Sequence, residues 1–426
     1  KSLAEPRDPK FVARALFWKG EIEFHLDQFK DALLSFQQFK NHNSAPQTPE
    51  FKNLDYHLAY AHFKLKEYEA SIPFFQKSIS VNSSDKVKLN DSYLRLADAY
   101  FVTAKYWPAM ENYNKAIELG GSEADYAAYQ KALSYGFVDR TPKKIEDLQA
   151  FLKKYTKSPF RDDAIFELGN TYTNQNQTEL ALKMYDQLHL EFPKGTFTSK
   201  AILRQGLIYY NSNRPDPAID KFKRVAKEFP NTPEALEAVA TAREIYVDLG
   251  KVEEYADWVK TLDYIEVTNV DLDNTTYESA EKQYLQNNTK NAISGFQQYL
   301  AKFSNGIHAT KANFYLAQLY FADGLENNAF PHYLKVVEKS KNEYTEASLA
   351  RISEIYLKNK DFTKAESILK RLEIEADFPQ NVLYAQSNLM KSYYELENYT
   401  LVVNYAEKVL GNAKVDERIK NDAQIM

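Results

Sequence analysis

Histidine is the side chain best suited to acid–base work near neutral pH. The chain has seven: His25, His42, His57, His62, His189, His308 and His332. Only His57 and His62 lie close in sequence, and a spacing of five puts them on different faces of a helix. No His-Glu-x-x-His element is present, and no carboxylate pair stands apart from ordinary surface charge. With no cysteine, thiol nucleophiles, disulfides and thiolate metal sites are excluded. Gly120-Gly121 follows the apolar run Ala116-Ile117-Glu118-Leu119, so it reads as a helix stop and not as a phosphate loop. No Gly-x-Ser-x-Gly element occurs. The expectation is a non-enzymatic chain without cofactor or metal.

What remains is recognition chemistry. The chain holds 31 Tyr and 26 Phe but only 3 Trp. Most of these rings fall at helix-packing positions. A second set, with the aliphatic Leu94 among them, falls on first helices: Phe17, Phe24, Tyr56, Tyr60, Phe63, Leu94, Phe101, Tyr210, Phe314, Phe321 and Tyr394. Between them stand Glu21, Asp98, Asn170, Asn174, Asn211, Gln318 and Lys391. Rigid aromatics interleaved with amides and charges suit an extended peptide or a helix, because rings supply hot-spot contacts. With 54 basic and 59 acidic residues well mixed, for a net charge of −5, no basic block marks a nucleic-acid footprint. No apolar run reaches the roughly 20 residues of a spanning helix.

These rings are positioned by a repeat. Taking the small residue of each second helix and the bulky one four positions on gives Ala32/Phe36, Ser71/Phe75, Ala109/Tyr113, Lys144/Leu148, Ala181/Tyr185 and Ala218/Phe222. The series continues with Glu254/Trp258, Ala292/Phe296, Ala329/Tyr333, Ala365/Leu369 and Val402/Ala406. Its steps are 39, 38, 35, 37, 37, 36, 38, 37, 36 and 37, the constant period of a stacked helical repeat. Twelve residues upstream lies a small first-helix residue in every unit, Gly20 and Gly169 among them, except the last, which has Met390. Two antiparallel helices approach closely only where side chains are small. The segment Asp263–Thr276 is turn-rich and β-favouring, yet it fits within one period. The expected organisation is repeats one to seven over 1–262, an irregular linker at 263–276, and repeats eight to eleven over 277–412. A further helix is expected to begin within 413–426, with the chain continuing beyond it. A hinge between two arrays at 263–276 is the alternative. Lys1–Pro9 reads as the tail of a preceding unit.

The units resemble tetratricopeptide repeats, best at Leu168, Gly169, Tyr172, Ala181, Tyr185 and Pro193, and at Gly206, Tyr209, Ala218, Phe222 and Pro230. The resemblance covers residues 10–412 and weakens around Lys144, Glu254 and Val402. It implies an all-α, right-handed superhelical solenoid of eleven helix-turn-helix repeats whose concave groove takes a peptide segment or helix of another protein. The period exceeds the family's usual ~34, with linkers such as Phe192-Pro193 through Ala201 and Phe229-Pro230 through Ala235. In these linkers Pro stops one helix and Thr198, Ser199 or Thr232 is placed to cap the next. This variant resembles repeats of the outer-membrane β-barrel assembly lipoprotein and of the Tol–Pal coordinator. It implies a subunit of a Gram-negative envelope machine, periplasmic or outer-membrane-associated, with membrane contact through an upstream anchor or a partner. The alternatives are a cytoplasmic adaptor or regulator, and a glycan- or peptidoglycan-binding repeat protein. The family's carboxylate clamp is not expected: Asn170 and Arg204 match it, but Phe166 stands where a Lys is needed, and Lys200 is the only further candidate.

Overall fold

The computed structural model describes residues 8–81, 84–413 and 415–426. Most of the Lys1–Pro9 segment lies outside them. Among the described residues, regular structure consists of 23 α-helices and two short 3-10 turns, with no strand. The chain divides into two compact units, Lys1–Arg214 and Pro215–Met426.

The first unit stacks five helix pairs and one further first helix. The pairs are α1 (Pro9–His25) with α2 (Phe29–Lys40), α3 (Leu54–Lys64) with α4 (Tyr68–Val81), and α5 (Lys86–Val102) with α6 (Tyr106–Leu119). Next come α7 (Ala124–Gly136) with α8 (Thr141–Lys154) and α9 (Arg161–Asn174) with α10 (Thr178–Glu191), then α11 (Thr198–Asn211).

The second unit begins with α12 (Pro215–Glu228), followed by α13 (Pro233–Asp248) with the short α14 (Val252–Val259). It continues with α15 (Asn269–Leu285), α16 (Thr289–Lys302), α17 (Ala309–Ala322), α18 (Glu326–Val337), α19 (Thr345–Lys358) and α20 (Phe362–Glu375). It closes with α21 (Pro379–Glu395), α22 (Tyr399–Leu410) and α23 (Glu417–Ile425). The chain is therefore all-α and built of helix-turn-helix repeats.

One backbone device ends every first helix. A single residue adopts the left-handed conformation at Asp27, Lys66, Ala104, Asp139, Asn176, Asn213, Gly250, Asn287, Gly324, Lys360 and Glu397, with φ between 55° and 72°. That residue releases the helix and turns the chain into its antiparallel partner. Five positions later comes the expected packing position in ten units, Ala or Ser in eight of them and Lys144 and Val402 in the other two. In the seventh the count falls on Tyr255, which is buried with Ala256 and Val259, while Glu254 is exposed. The expected Glu254/Trp258 pair is thus one residue out of register there, in the short α14 of eight residues.

Glycine packing follows the steric expectation. A Cβ on Gly20 would sit 2.7 Å from the Phe36 ring, and one on Gly169 would sit 2.6 Å from Tyr185. The linkers differ in detail. Thr232 caps α13 by accepting from the Ala235 amide at 3.2 Å. Thr198 instead turns its hydroxyl back to the Phe192 carbonyl at 2.5 Å, and α11 has no side-chain cap. Within Asp263–Thr276, the stretch from Asn269 onward is helix. Thr268 and Asp271 form a reciprocal capping box at the start of α15, which satisfies two end donors and outweighs the β preference of the neighbouring Val and Thr.

Candidate functional site

In the first unit the candidate site grows from α3. Tyr56 and Tyr60 are one helical turn apart, and both hydroxyls donate to Asp91 on α5, at 2.8 and 2.5 Å. One turn further along α5, Arg95 reaches Asp98 at 3.0 Å and grips both oxygens of Glu123 at 2.7 and 2.8 Å. Asp98 also accepts from Tyr113 on α6 at 2.8 Å and from Tyr126 on α7 at 3.1 Å. Burial pushes the Asp98 carboxyl above its usual range, against the pull of Tyr113, Arg95 and Tyr126. Burial, then the Asp91 charge, raises the Tyr60 hydroxyl. The result is a cross-linked network of rings and charges spanning three successive first helices.

The face continues onto α7 and α9. Tyr126 and Tyr129 both contact Phe160, with centroids at 5.4 and 5.8 Å, the Tyr129 pair stacked within 11°. Beside them stand Asp162 and Asp163. Burial and the neighbouring Asp162 carboxylate raise the Asp163 carboxyl. Burial, then the Asp163, Glu167 and Asp162 charges, raises the Tyr129 hydroxyl, so all three carboxylates bear on that ring. Glu167 is paired with Lys144. Phe166 stacks on Phe197 at 5.0 Å.

The candidate residues do not all reach this face. Phe17 is 3% exposed and packs on Phe36 and Phe39, and Leu94 is also buried. Both are core, although Tyr56 and Phe314, at the same position three residues before the small one, stay half-buried. Phe24 and Phe63 are half-buried, each edge-on to the first ring of its second helix, Phe29 and Tyr68, at 5.2 Å. Phe101 contacts Phe137 at 5.6 Å, and Phe137 remains 58% exposed. Asn170 accepts from Tyr185 at 2.8 Å. Asn174 and Asn211 are exposed and Tyr210 is half-buried.

In the second unit Phe314 and Phe321 flank Tyr333 at 6.4 and 6.3 Å. Arg351 lies 4.5 Å over Phe321. Tyr394 stands apart at 45% exposure, beside Tyr399.

Sequence reasoning missed the role of Asp91, Arg95 and Glu123. It also missed a recurring pair: Tyr113 with Asp98 and Tyr185 with Asn170, both fifteen residues apart and both hydrogen-bonded. That spacing was available as a signal.

Among the described residues no group of His, Cys, Asp or Glu could hold a metal ion. No helix among them is long and apolar enough to cross a membrane.

Repeated helix pairs whose first helices carry a ring-and-charge surface define a helical-repeat protein. A tetratricopeptide-repeat family model matches residues 163–195 and 200–232, and a second one matches 56–85. The chain carries tetratricopeptide repeats at those segments. No curated protein matches it. Among solved structures, MamA is 18% identical over 42% of this chain and 93% of its own, with a TM-score of 0.37. YrrB, described as a TPR protein with an unusual peptide-binding site, is 17% identical over 48% of this chain and 96% of its own, with a TM-score of 0.36. A tetratricopeptide repeat protein from Parabacteroides merdae is 16% identical over 64% of this chain and 99% of its own, with a TM-score of 0.31.

Proposed function

We propose that the chain is a non-enzymatic interaction scaffold that receives a peptide segment or helix of another protein on its first-helix faces. The observation that carries this reading is the continuous surface from α3 to α9. Its hydroxyls and carboxylates are held in place by one another rather than left to rotate freely. Preorganised polar groups beside rings lower the ordering cost of binding.

The Phe-Pro linkers support placing the scaffold in a bacterial envelope assembly or transport machine, against a cytoplasmic adaptor. The test uses the tagged native protein in its own cells. Recovery with periplasm or membrane is expected, and recovery in the cytosol favours the adaptor. Phe137→Ala with Asn174→Ala should abolish a partner's co-purification, whereas Leu180→Ala with Leu190→Ala on α10 should keep it. Loss only with the α10 pair rejects the first-helix face.

A further inference from the structure

We infer that the outward face of α1 is a self-association surface, on which a second copy of this chain lays its own α1 antiparallel to the first. The inference is separate from the docking reading, whose surface begins at α3.

α1 is apolar on two opposite sides. Ala13, Phe17 and Gly20 form its buried side, toward α2. On the other side Phe11, Ala15, Trp18 and Ile22 follow one another at steps of four, three and four, the spacing of a coiled-coil seam. Phe11, Trp18 and Ile22 are between 52% and 61% exposed. Apolar residues on both sides are the pattern of a helix packed from both sides.

The next four first helices do not share this stripe. The positions of Ile22 hold the small Ala61, Ala99, Ser134 and Thr171, all buried, and those of Trp18 hold the polar His57, Arg95, Gln130 and Glu167. Each of those helices packs on the second helix before it. Trp18 is also held in place. Its Nε1 donates at 3.2 Å to Glu50 Oε1, which accepts from Arg14 Nε at 2.8 Å, and Glu50 itself is buried. The indole is thus presented in a fixed pose, which lowers the ordering cost of a contact that Trp makes well.

The stripe matches its own reverse, and this points to a second copy. With Phe11 level with Ile22 of an antiparallel copy, Trp18 meets Ala15, and the two-fold axis repeats both pairs. Every layer then sets a larger side chain against a smaller one. Arg14 lies across from Glu21 of the second copy, also twice. Both already hold a partner within the chain, Glu50 and His57, so their weight falls on orientation more than on affinity. A parallel pair would set Trp18 on Trp18, leave Ala15 facing Ala15, and bring Arg14 beside Lys19, which opposes it. One helix pair buries less than the standard interface of about 1,600 Å², so the expected dimer is weak, with a Kd of about 1–100 µM.

Sedimentation equilibrium of the whole chain from about 1 µM to 1 mM should show monomer passing to dimer. Ile22→Lys, which leaves the Trp18–Glu50 contact in place, should weaken the dimer at least about tenfold. Leu190→Lys, at an exposed apolar residue of α10, should change it by less than about twofold. An unchanged circular-dichroism melt excludes unfolding as the cause. Because the chain has no cysteine, disulfide trapping reads the orientation: Phe11→Cys mixed with Ile22→Cys should cross-link, and Phe11→Cys alone should not. A monomer throughout, a dimer that Ile22→Lys leaves intact, or trapping of Phe11→Cys with itself in place of the mixed pair overturns the inference. A photo-crosslinking amino acid at Ile22 of the native protein in its own cells identifies the occupant. A conjugate of two copies is expected. A conjugate with another protein, a link within one chain, or no adduct overturns the second copy.

Discussion

At the scale of single residues, side chains that pack are distinct from those we propose to meet a partner. Gly169 packs: its missing Cβ is where the Tyr185 ring lies. Gly169→Ala gains helix propensity of about 1 kcal/mol but forces the ring aside. A net loss of about 1–2 kcal/mol is expected in chemical denaturation.

The fifteen-residue pairing separates two tyrosines that look alike in sequence. Tyr113 donates to buried Asp98, so Tyr113→Phe should cost about 1–3 kcal/mol. Tyr333 has Gln318 fifteen residues back, yet its buried hydroxyl has no partner. Tyr333→Phe should therefore be neutral, or stabilising by up to about 1 kcal/mol. Equal losses in the two variants would sink the distinction.

Acid sensitivity has a residue-scale source too. The Arg161 hydrogen bonds hold Glu191 below the usual carboxylate range. Its contribution is present above the unfolded value of about 4.3 and is lost as pH falls through the folded one. In Glu191→Gln the fall in melting temperature between about pH 5 and 3 should be shallower than in the parent chain.

At the scale of elements, the helix pairs were legible because two signals repeat: small residues at close contacts and bulky ones four positions on. Other features were legible only in part. The seventh unit slipped by one residue, with Tyr255 and Val259 buried where Glu254 and Trp258 were expected, whereas the left-handed turn residue keeps its place in every unit. Its steps are 39, 38, 35, then 37 five times, 36 and 37. That marker is nearly silent in sequence, since Lys66, Ala104, Lys360 and Glu397 occupy it alongside the Asn, Asp and Gly that the conformation prefers. Each of those four carries a backbone cost of about 1 kcal/mol. Replacing any one with Gly should raise stability by about 0.5–1 kcal/mol, measured by urea unfolding. A loss in all four would mean that their side chains, not the turn, hold the place. The candidate face was legible as a set of ring positions. Phe17 and Leu94 were misplaced because they share one repeat position with Tyr56 and Phe314 and differ from them in burial only through their neighbours after stacking. The Asp91–Arg95–Glu123 network was not legible, since charges spaced along different helices meet only after stacking.

At the scale of the whole molecule, each unit is a stack of helix pairs that shows its first helices on one face. The second helices supply most of the large buried rings: Phe36, Phe75, Tyr113 and Tyr185 in the first unit, Phe296 and Tyr333 in the second. The first helices hold most of the hydroxyl–carboxylate network, with Tyr113 reaching it from α6. In the proposed reading, packing is done mainly by the second helices and recognition by the first. It also predicts that surface changes on second helices are tolerated while comparable changes on first helices alter partnership.

The most direct measurement places a photo-crosslinking amino acid at Asn174, exposed at the end of first helix α9, and separately at Leu190, 81% exposed on second helix α10. Irradiation of cells carrying each variant should give a partner adduct from position 174 and none from position 190. Adducts from 190 alone, or from neither position, would contradict the assignment of recognition to the first-helix face.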